Sequence, residues 1–465
     1  MSSGSAPRKA APPTNTAPAR PKSRGVRIVT PIPGPKTKAI VAADDRYLMT
    51  TTKTSPIAAA EAEGVWVTDA DGNRLLDFTS GVGVLNVGHC HPDVVAAVQR
   101  QTARLMHFAG TDFYYASQTE LAERLTHLTP GDFPKKVFFT NSGTESAEAA
   151  LKLVRWNKQR PLVIGLLGAF HGRSMGSLAL TASKPVQRAR FNAHTGGATH
   201  IPPPYCYRCP YKLTYPSCDL YCAKILKELY FETAVPPEDV AAMIAEPVMG
   251  EGGYIVPPKG WHAAIKSILD EHQILFIDDE VQSGFGRTGR WFAIEHHGVV
   301  PDIVTTAKSL GGGLPIGAMI LRKDLDYPYK GPHSNTFGGN LVAVAAAQAV
   351  LTVIEKEHLL ENARSQGAYL VQRLQELQRK YEVIGDVRGL GLMVATEFVE
   401  DRKSKTPAVA LRDRILVEAY QRGLLLLPCG KSTVRYIPPL IIQREEVDEG
   451  VEILDAAIGA ALRSR

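Results

Sequence analysis

No stretch of the chain approaches the roughly 18 consecutive apolar residues that a membrane-spanning helix needs, so no span is expected. Acidic residues are missing from positions 1–43, which hold eight basic ones: Arg8, Lys9, Arg20, Lys22, Arg24, Arg27, Lys36 and Lys38. The net charge of +6 belongs to this segment, because the remainder sets 45 of the 53 basic residues against all 47 acidic ones. A near-neutral body speaks against a nucleic-acid-binding protein. The segment also lacks the apolar core of a secretory signal, and the five prolines between Pro7 and Pro21 suit a helical transit peptide poorly. A disordered basic tail over 1–43 is the expectation. Cysteine is scarce and unevenly placed: Cys206, Cys209, Cys218 and Cys222 cluster, while Cys90 and Cys429 stand alone. That is not the scatter of a secreted disulfide scaffold, and a cytoplasmic location is expected. Metal ligation, two disulfides and free thiols in a structured loop are all open to the cluster. No internal repeat occurs.

What is present reads as a soluble globular protein, with 44% apolar and 22% charged residues. At 465 residues two domains are expected. Gly64–Thr68 and Arg74–Phe78 flank the turn-forming Asp69-Ala-Asp-Gly-Asn73, which predicts a hairpin. Pro92 opens a helix whose Val94, Val98, Thr102 and Leu105 share a face, and a second helix covers Gln118–Leu128. From Lys136 to Leu321, strand and helix alternate. Strands are expected at Lys136–Thr140, Leu162–Leu166, Val240–Ala245, Ile274–Ile277, Ile303–Thr306 and Ile316–Leu321. Most are continuous apolar runs, the pattern of a parallel sheet covered on both faces, with ligands at the strand C-termini. Helices at Leu341–Val353 and His358–Tyr381 lead into a smaller α+β region. Its strands are expected at Tyr381–Val387, Leu392–Phe398, Leu424–Leu427 and Thr433–Ile437, with a helix at Ala408–Arg422.

Two of the apolar runs carry chemistry at their ends. Ile274–Ile277 leads into Asp279, and Ile303–Thr306 leads to Lys308, followed by Gly311-Gly-Gly313. An amine and a carboxylate delivered to the C-terminal ends of two strands suit an enzyme that holds an aldehyde cofactor as a Schiff base and keeps its ring nitrogen protonated. Taken singly, Asp279 reads as readily as a helix cap and Lys308 as a surface lysine. Ser142-Gly-Thr144 follows a strand and opens a helix, where unpaired N–H groups and hydroxyls can surround a phosphate or merely cap the helix.

Several further motifs occur together: Gly88-His-Cys-His-Pro92, Ser142-Gly-Thr-Glu145, Phe170-His-Gly-Arg173, Glu246-Pro247, Asp279–Gly289, Lys308 and Thr336-Phe-Gly-Gly-Asn340. With them the chain resembles, over about residues 45–460, the class III aminotransferases of fold type I that use pyridoxal 5'-phosphate. Within that family it is most similar to the 4-aminobutyrate aminotransferase group. The resemblance implies an α/β large domain with a mostly parallel central sheet, and a smaller α+β domain formed by both chain ends. It divides the chain into a tail (1–43), an N-terminal segment of the small domain (44–95), a large cofactor-binding domain (96–345, with a cysteine-rich insertion at 205–222) and a C-terminal small domain (346–465). It implies Lys308 as the Schiff-base lysine, Asp279 as partner of the ring nitrogen, and Gln282 on the ring hydroxyl. Phe170 and Val281 would enclose the ring beside His171, and Ser142, Gly143 and Thr144 would bind the phosphate. Thr336 would reach the phosphate of a neighbouring subunit, implying at least a homodimer. Arg435 would bind an α-carboxylate, with Glu246 neutralising it when an ω-amine is bound. Arg173 would receive a far carboxylate, and Val82 would line the pocket in place of the aromatic residue of ornithine-preferring relatives.

The implied reaction moves an amino group from 4-aminobutyrate or ornithine to 2-oxoglutarate. No resident metal is implied, and the partners are small amino and keto acids. Beside it stand a related lyase or decarboxylase using the same cofactor, and two further alternatives. An amino-acid racemase would use the same lysine and return the proton from the other face, for which no donor is evident. A nucleic-acid scaffold would depend on the basic tail.

Overall fold

In a computed structural model of the chain, which describes residues 25–191 and 196–463, the alternation of strand and helix builds a seven-stranded sheet. Its order is Lys135–Thr140, Gly317–Arg322, Ile303–Thr306, Leu275–Asp279, Val240–Ala245, Leu162–Leu166 and Ala198–Ile201. Gly317–Arg322 runs antiparallel to both neighbours, and the other neighbouring pairs are parallel. Every residue of Val240–Ala245, Leu275–Asp279 and Ile303–Thr306 is buried, as continuous apolar runs require when helices cover both faces. Leu275–Asp279 and Ile303–Thr306 are neighbours, with Asp279 opposite Thr305, so their C-terminal ends open side by side. That adjacency positions the site.

Two smaller sheets follow, the first combining both ends of the chain and the second built from the C-terminal end alone. Ala59–Glu63, Trp66–Asp69 and Arg74–Asp77 form antiparallel pairs, and Leu424–Leu425 joins the last of them in parallel. Ile384–Leu390, Met393–Phe398, Thr433–Tyr436 and Leu427–Cys429 make a wholly antiparallel sheet. The single strand expected at Leu424–Leu427 is therefore two, divided at Leu426, and the chain passes from one sheet to the other there.

The expected tail needs correction. Residues 1–24 lie outside the described residues, but from Gly25 onward the segment is attached to the body. Arg27 exchanges backbone hydrogen bonds with Arg74, and Pro35–Tyr47 is a helix. The hairpin turn does the anchoring. Asn73 Oδ1 accepts from the backbone N–H of Val29 and Thr30 at 2.8 and 2.9 Å. The Asp71 carboxylate accepts from Lys36 and Thr37 at 2.8 and 2.9 Å. The basic charge misleads because attachment runs through backbone N–H groups, which composition does not register.

The cysteine-rich stretch lies in the crossover between Ala198–Ile201 and Val240–Ala245. All six cysteines are free thiols, so no disulfide forms, and the four clustered ones share a small cavity of about 20 Å³. Among the described residues no three His, Cys, Asp or Glu side chains are arranged to hold a metal ion. The loop is fastened to the C-terminal sheet through Glu397, a buried carboxylate that meets Tyr205 and Arg208 from the loop and Arg388 Nη2 at 2.9 Å. Burial alone would raise the Glu397 pKa, but Arg388, Tyr205 and Arg208 hold it below the usual value. Arg388 also donates to Gly253 O, at 3.0 Å from Nε and 2.6 Å from Nη2. No described helix is long and apolar enough to cross a membrane.

Candidate active site

The strand ends open into a cavity of about 800 Å³. It is lined by thirteen of the fourteen residues that the sequence singles out: Val82, Ser142, Gly143, Thr144, Phe170, His171, Arg173, Glu246, Asp279, Val281, Gln282, Lys308 and Arg435. Thr336 is the exception. It is exposed, in the segment before the helix Leu341–Lys356, and does not line this cavity within the chain.

Lys308 follows the strand Ile303–Thr306 at the start of a short helical turn, with φ of +43°. A side-chain-bearing residue in the left-handed region is strained, and here the strain turns the amine into the cavity. Its side chain forms no ion pair or hydrogen bond among the described residues. Burial, aided by the Arg435 guanidinium, lowers its pKa against the opposing pull of Asp279, Glu246 and Glu251. More of the amine is then neutral and nucleophilic than on a solvated lysine.

Asp279 is held from two sides. His171 Nδ1 lies 2.6 Å from Asp279 Oδ2, and Val281 N–H donates to Oδ1 at 3.1 Å. The His171 side chain is sealed from solvent, and that of Asp279 is 4% exposed. Burial would lower the His171 pKa, but the Asp279 carboxylate raises it overall, so the imidazole holds its proton toward the acid. His171 N–H is itself fixed by Thr181 Oγ1 at 3.0 Å.

The helix Gly143–Lys158 begins against Val281. Ser142 caps it by accepting from Glu145 N–H at 3.3 Å. A side chain at Gly143 would place a Cβ 2.7 Å from Val281 Cγ1, so glycine is required for this close approach. Thr144 Oγ1 is already engaged with Ser174 Oγ and Ser177 Oγ at 2.6 and 2.7 Å, which ties the helix start to the loop after Phe170. Arg173 is exposed, with its guanidinium 5.7 Å from the Phe170 ring centre.

One expected pairing is not formed. Glu246 does not face Arg435; its carboxylate accepts from the N–H of Phe170 at 3.0 Å and of Gly250 at 2.7 Å. Burial pushes its pKa up to about 7. Arg435 instead pairs with Glu251, Nη1 to Oε1 at 2.7 Å, and Lys184 Nζ lies 3.7 Å from Glu251 Oε2. Burial favours neutral Glu251, yet Arg435 and then Lys184 hold its pKa below the usual value. Glu251, Lys184, Thr52 and Thr54 also line the cavity and were not anticipated. Glycines on both sides of Glu251 were the available signal, since Gly250, Gly252 and Gly253 let that loop fold the acid inward.

Pyridoxal phosphate can be tested against these groups. A carboxylate fixed on the floor suits a protonated ring nitrogen, and an unpaired amine suits an aldehyde. The buried Oε1 of Gln282 has no partner among the described residues and suits a ring hydroxyl. A helix start lacking a Cβ at Gly143 suits a phosphate. The residues fit the cofactor. Fold and site define a pyridoxal phosphate-dependent transferase of fold type I.

The chain belongs to the class-III aminotransferase family, matching it over residues 48–458. It is 41% identical over 402 residues to 5-aminovalerate aminotransferase DavT of Pseudomonas aeruginosa, covering 86% of this chain and 92% of that protein. It is 40% identical over 409 residues to leucine/methionine racemase of Thermococcus litoralis, covering 87% and 91%. Among solved structures it is similar to an amine transaminase of an uncultivated Pseudomonas species in its pyridoxal phosphate-bound form, 32% identical with a TM-score of 0.82, covering 89% of this chain and 98% of that one.

Proposed function

We propose that the enzyme moves the terminal amino group of an ω-amino acid, 4-aminobutyrate or 5-aminovalerate, to 2-oxoglutarate, releasing the semialdehyde and glutamate. The observation that carries this reading is the Arg435–Glu251 pair. An arginine wanted only for α-carboxylates needs no partner of its own in the cavity. With a removable partner, the site can face the plain methylene chain of an ω-amino acid in one half-reaction and a dicarboxylate in the other.

The cofactor, when bound, supplies an aldehyde for amine exchange and a ring that takes up negative charge from the reacting carbon. Lys308 Nζ would take the proton from that carbon as a base and deliver it, as an acid, to the former aldehyde carbon of the cofactor, so that the amino group stays behind when the product leaves. Asp279, held by His171, keeps the ring nitrogen protonated by its charge. Gln282 orients the ring hydroxyl, and Phe170 and Val281 confine the ring. Ser142, Gly143 and Thr144 hold the phosphate through the helix start, and Arg173 receives the far carboxylate. Thr336, exposed on its own subunit, completes the phosphate site of a second copy, so the working unit is at least a homodimer.

A racemase reading is favoured by the 40% identity to a leucine/methionine racemase. One experiment separates the two. The holoenzyme is incubated with 5-aminovalerate, 4-aminobutyrate, L-ornithine or L-leucine, each with and without 2-oxoglutarate. Glutamate formed from an ω-amino acid only when the keto acid is present is the expected result. Loss of optical activity from L-leucine with no keto acid, and no glutamate in any arm, would overturn the proposal.

A further inference from the structure

Glu251 is shared. Its Oε1 faces Arg435 Nη1 at 2.7 Å and its Oε2 faces Lys184 Nζ at 3.7 Å. The two cations differ in freedom: the side chain of Arg435 is 6% exposed and that of Lys184 is 41% exposed. The Lys184 backbone is pinned. It precedes the turn Pro185–Arg188, Lys184 O accepts from Gln187 N–H at 3.1 Å, and Ser183 Oγ donates to Gln187 Oε1 at 2.6 Å. Its long side chain is therefore the mobile part. Glu251 is only 18% exposed, so if Arg435 left it for a substrate carboxylate without a replacement, a largely desolvated charge would be stranded.

We propose that Lys184 is a positioning residue that sets carboxylate specificity, receiving Glu251 when Arg435 turns to a substrate carboxylate. This rests on the reading that Arg435 is the carboxylate site. Lys184 needs only a rotamer change to close the remaining gap, and Glu251 keeps one counter-ion throughout. The exchange of partners lets Arg435 be neutralised for one substrate and available for the other.

The test is calorimetric binding of glutarate, a dicarboxylate with no amino or keto group, to the holoenzyme. Lys184→Met, which keeps the length of the stem, is expected to weaken glutarate binding about three- to fivefold, the range of a part-exposed ion pair. Lys184→Arg should restore it. In a Glu251→Gln background, where no carboxylate needs receiving, Lys184→Met should change binding by less than about twofold. Equal binding by Lys184→Met and the unmodified enzyme would overturn the proposal. So would an undiminished loss in the Glu251→Gln background, because Lys184 would then be touching the ligand itself. Arg435→Met reports on the underlying reading separately: if it leaves glutarate binding intact, the carboxylate site lies elsewhere.

Discussion

At the floor of the cavity, Asp279 is tied to His171 and to the backbone of Val281, and both side chains are shut away from water. At the wall, Arg435 is tied to Glu251, whose side chain keeps some exposure and has a second cation within reach. The floor pair joins the strand-end residue Asp279 to the buried loop residue His171, while the wall pair joins the strand residue Arg435 to a glycine-rich loop that keeps some exposure. The contrast follows the chemistry each end must do. A ring nitrogen needs the same counter-charge at every stage, so its acid is fixed. A site for two unlike substrates needs a counter-charge that can leave.

The largest effect should come from the amine between these two ends. Lys308→Ala is expected to lower the rate of a single amine-transfer half-reaction by about 10³-fold or more, measured by stopped-flow with excess amino donor. A loss much smaller than this would mean that another group moves the proton. Next is the floor. Asp279→Asn keeps shape and removes charge, and should lower kcat for every amino donor by about 10²-fold without discriminating among them. The wall should behave oppositely. Glu251→Gln is expected to lower kcat/KM for the ω-amino acid by about tenfold while improving the Kd for glutarate, because Arg435 then stands permanently unneutralised. If both ligands shift together, the wall is as rigid as the floor and the comparison fails.

The smallest effects are in pH dependence, and their signs differ. The His171 pKa is raised in the folded state by Asp279, so its contribution to stability is full below about 6.5 and is lost as pH rises through the folded value. The Glu251 pKa is lowered overall, chiefly by Arg435, so its contribution is present above about 4.5 and is lost as pH falls through the folded value. Thermal unfolding should therefore show the Tm deficit of His171→Asn shrinking toward alkaline pH. The deficit of Glu251→Gln should shrink toward acid pH. Deficits that move in the same direction would sharpen the contrast out of existence.

How far these features can be read from the sequence depends on where their energy comes from. The strands that deliver Asp279 and Lys308 are visible because continuous burial leaves continuous apolar runs, and the two end residues become informative only as a pair, an amine and an acid at the ends of two such runs. Ala59–Glu63 went unread for the opposite reason. Its Ala-Ala-Glu-Ala-Glu composition favours helix, and only pairing with Trp66–Asp69 makes it a strand. The N-terminal attachment was hidden because Asp71 and Asn73, read as turn formers, are also acceptors for a distant backbone. Arg435 was legible, but its partner was not. Glu246 and Glu251 lie five residues apart, and only the path of the intervening loop decides which of them meets the guanidinium.

The parallel pairing of Leu424–Leu425 with Arg74–Asp77 has a consequence for biosynthesis. The hairpin leaves the ribosome long before the strand that covers its edge, and about three quarters of the chain must be translated in between. Until then the Leu76–Asp77 part of that edge, beyond the Arg27 bridge at Arg74, is an unpaired template for any other extended segment. Newly made chains should therefore be most prone to sticking together just before translation ends, and a chaperone that shields that edge would relieve it.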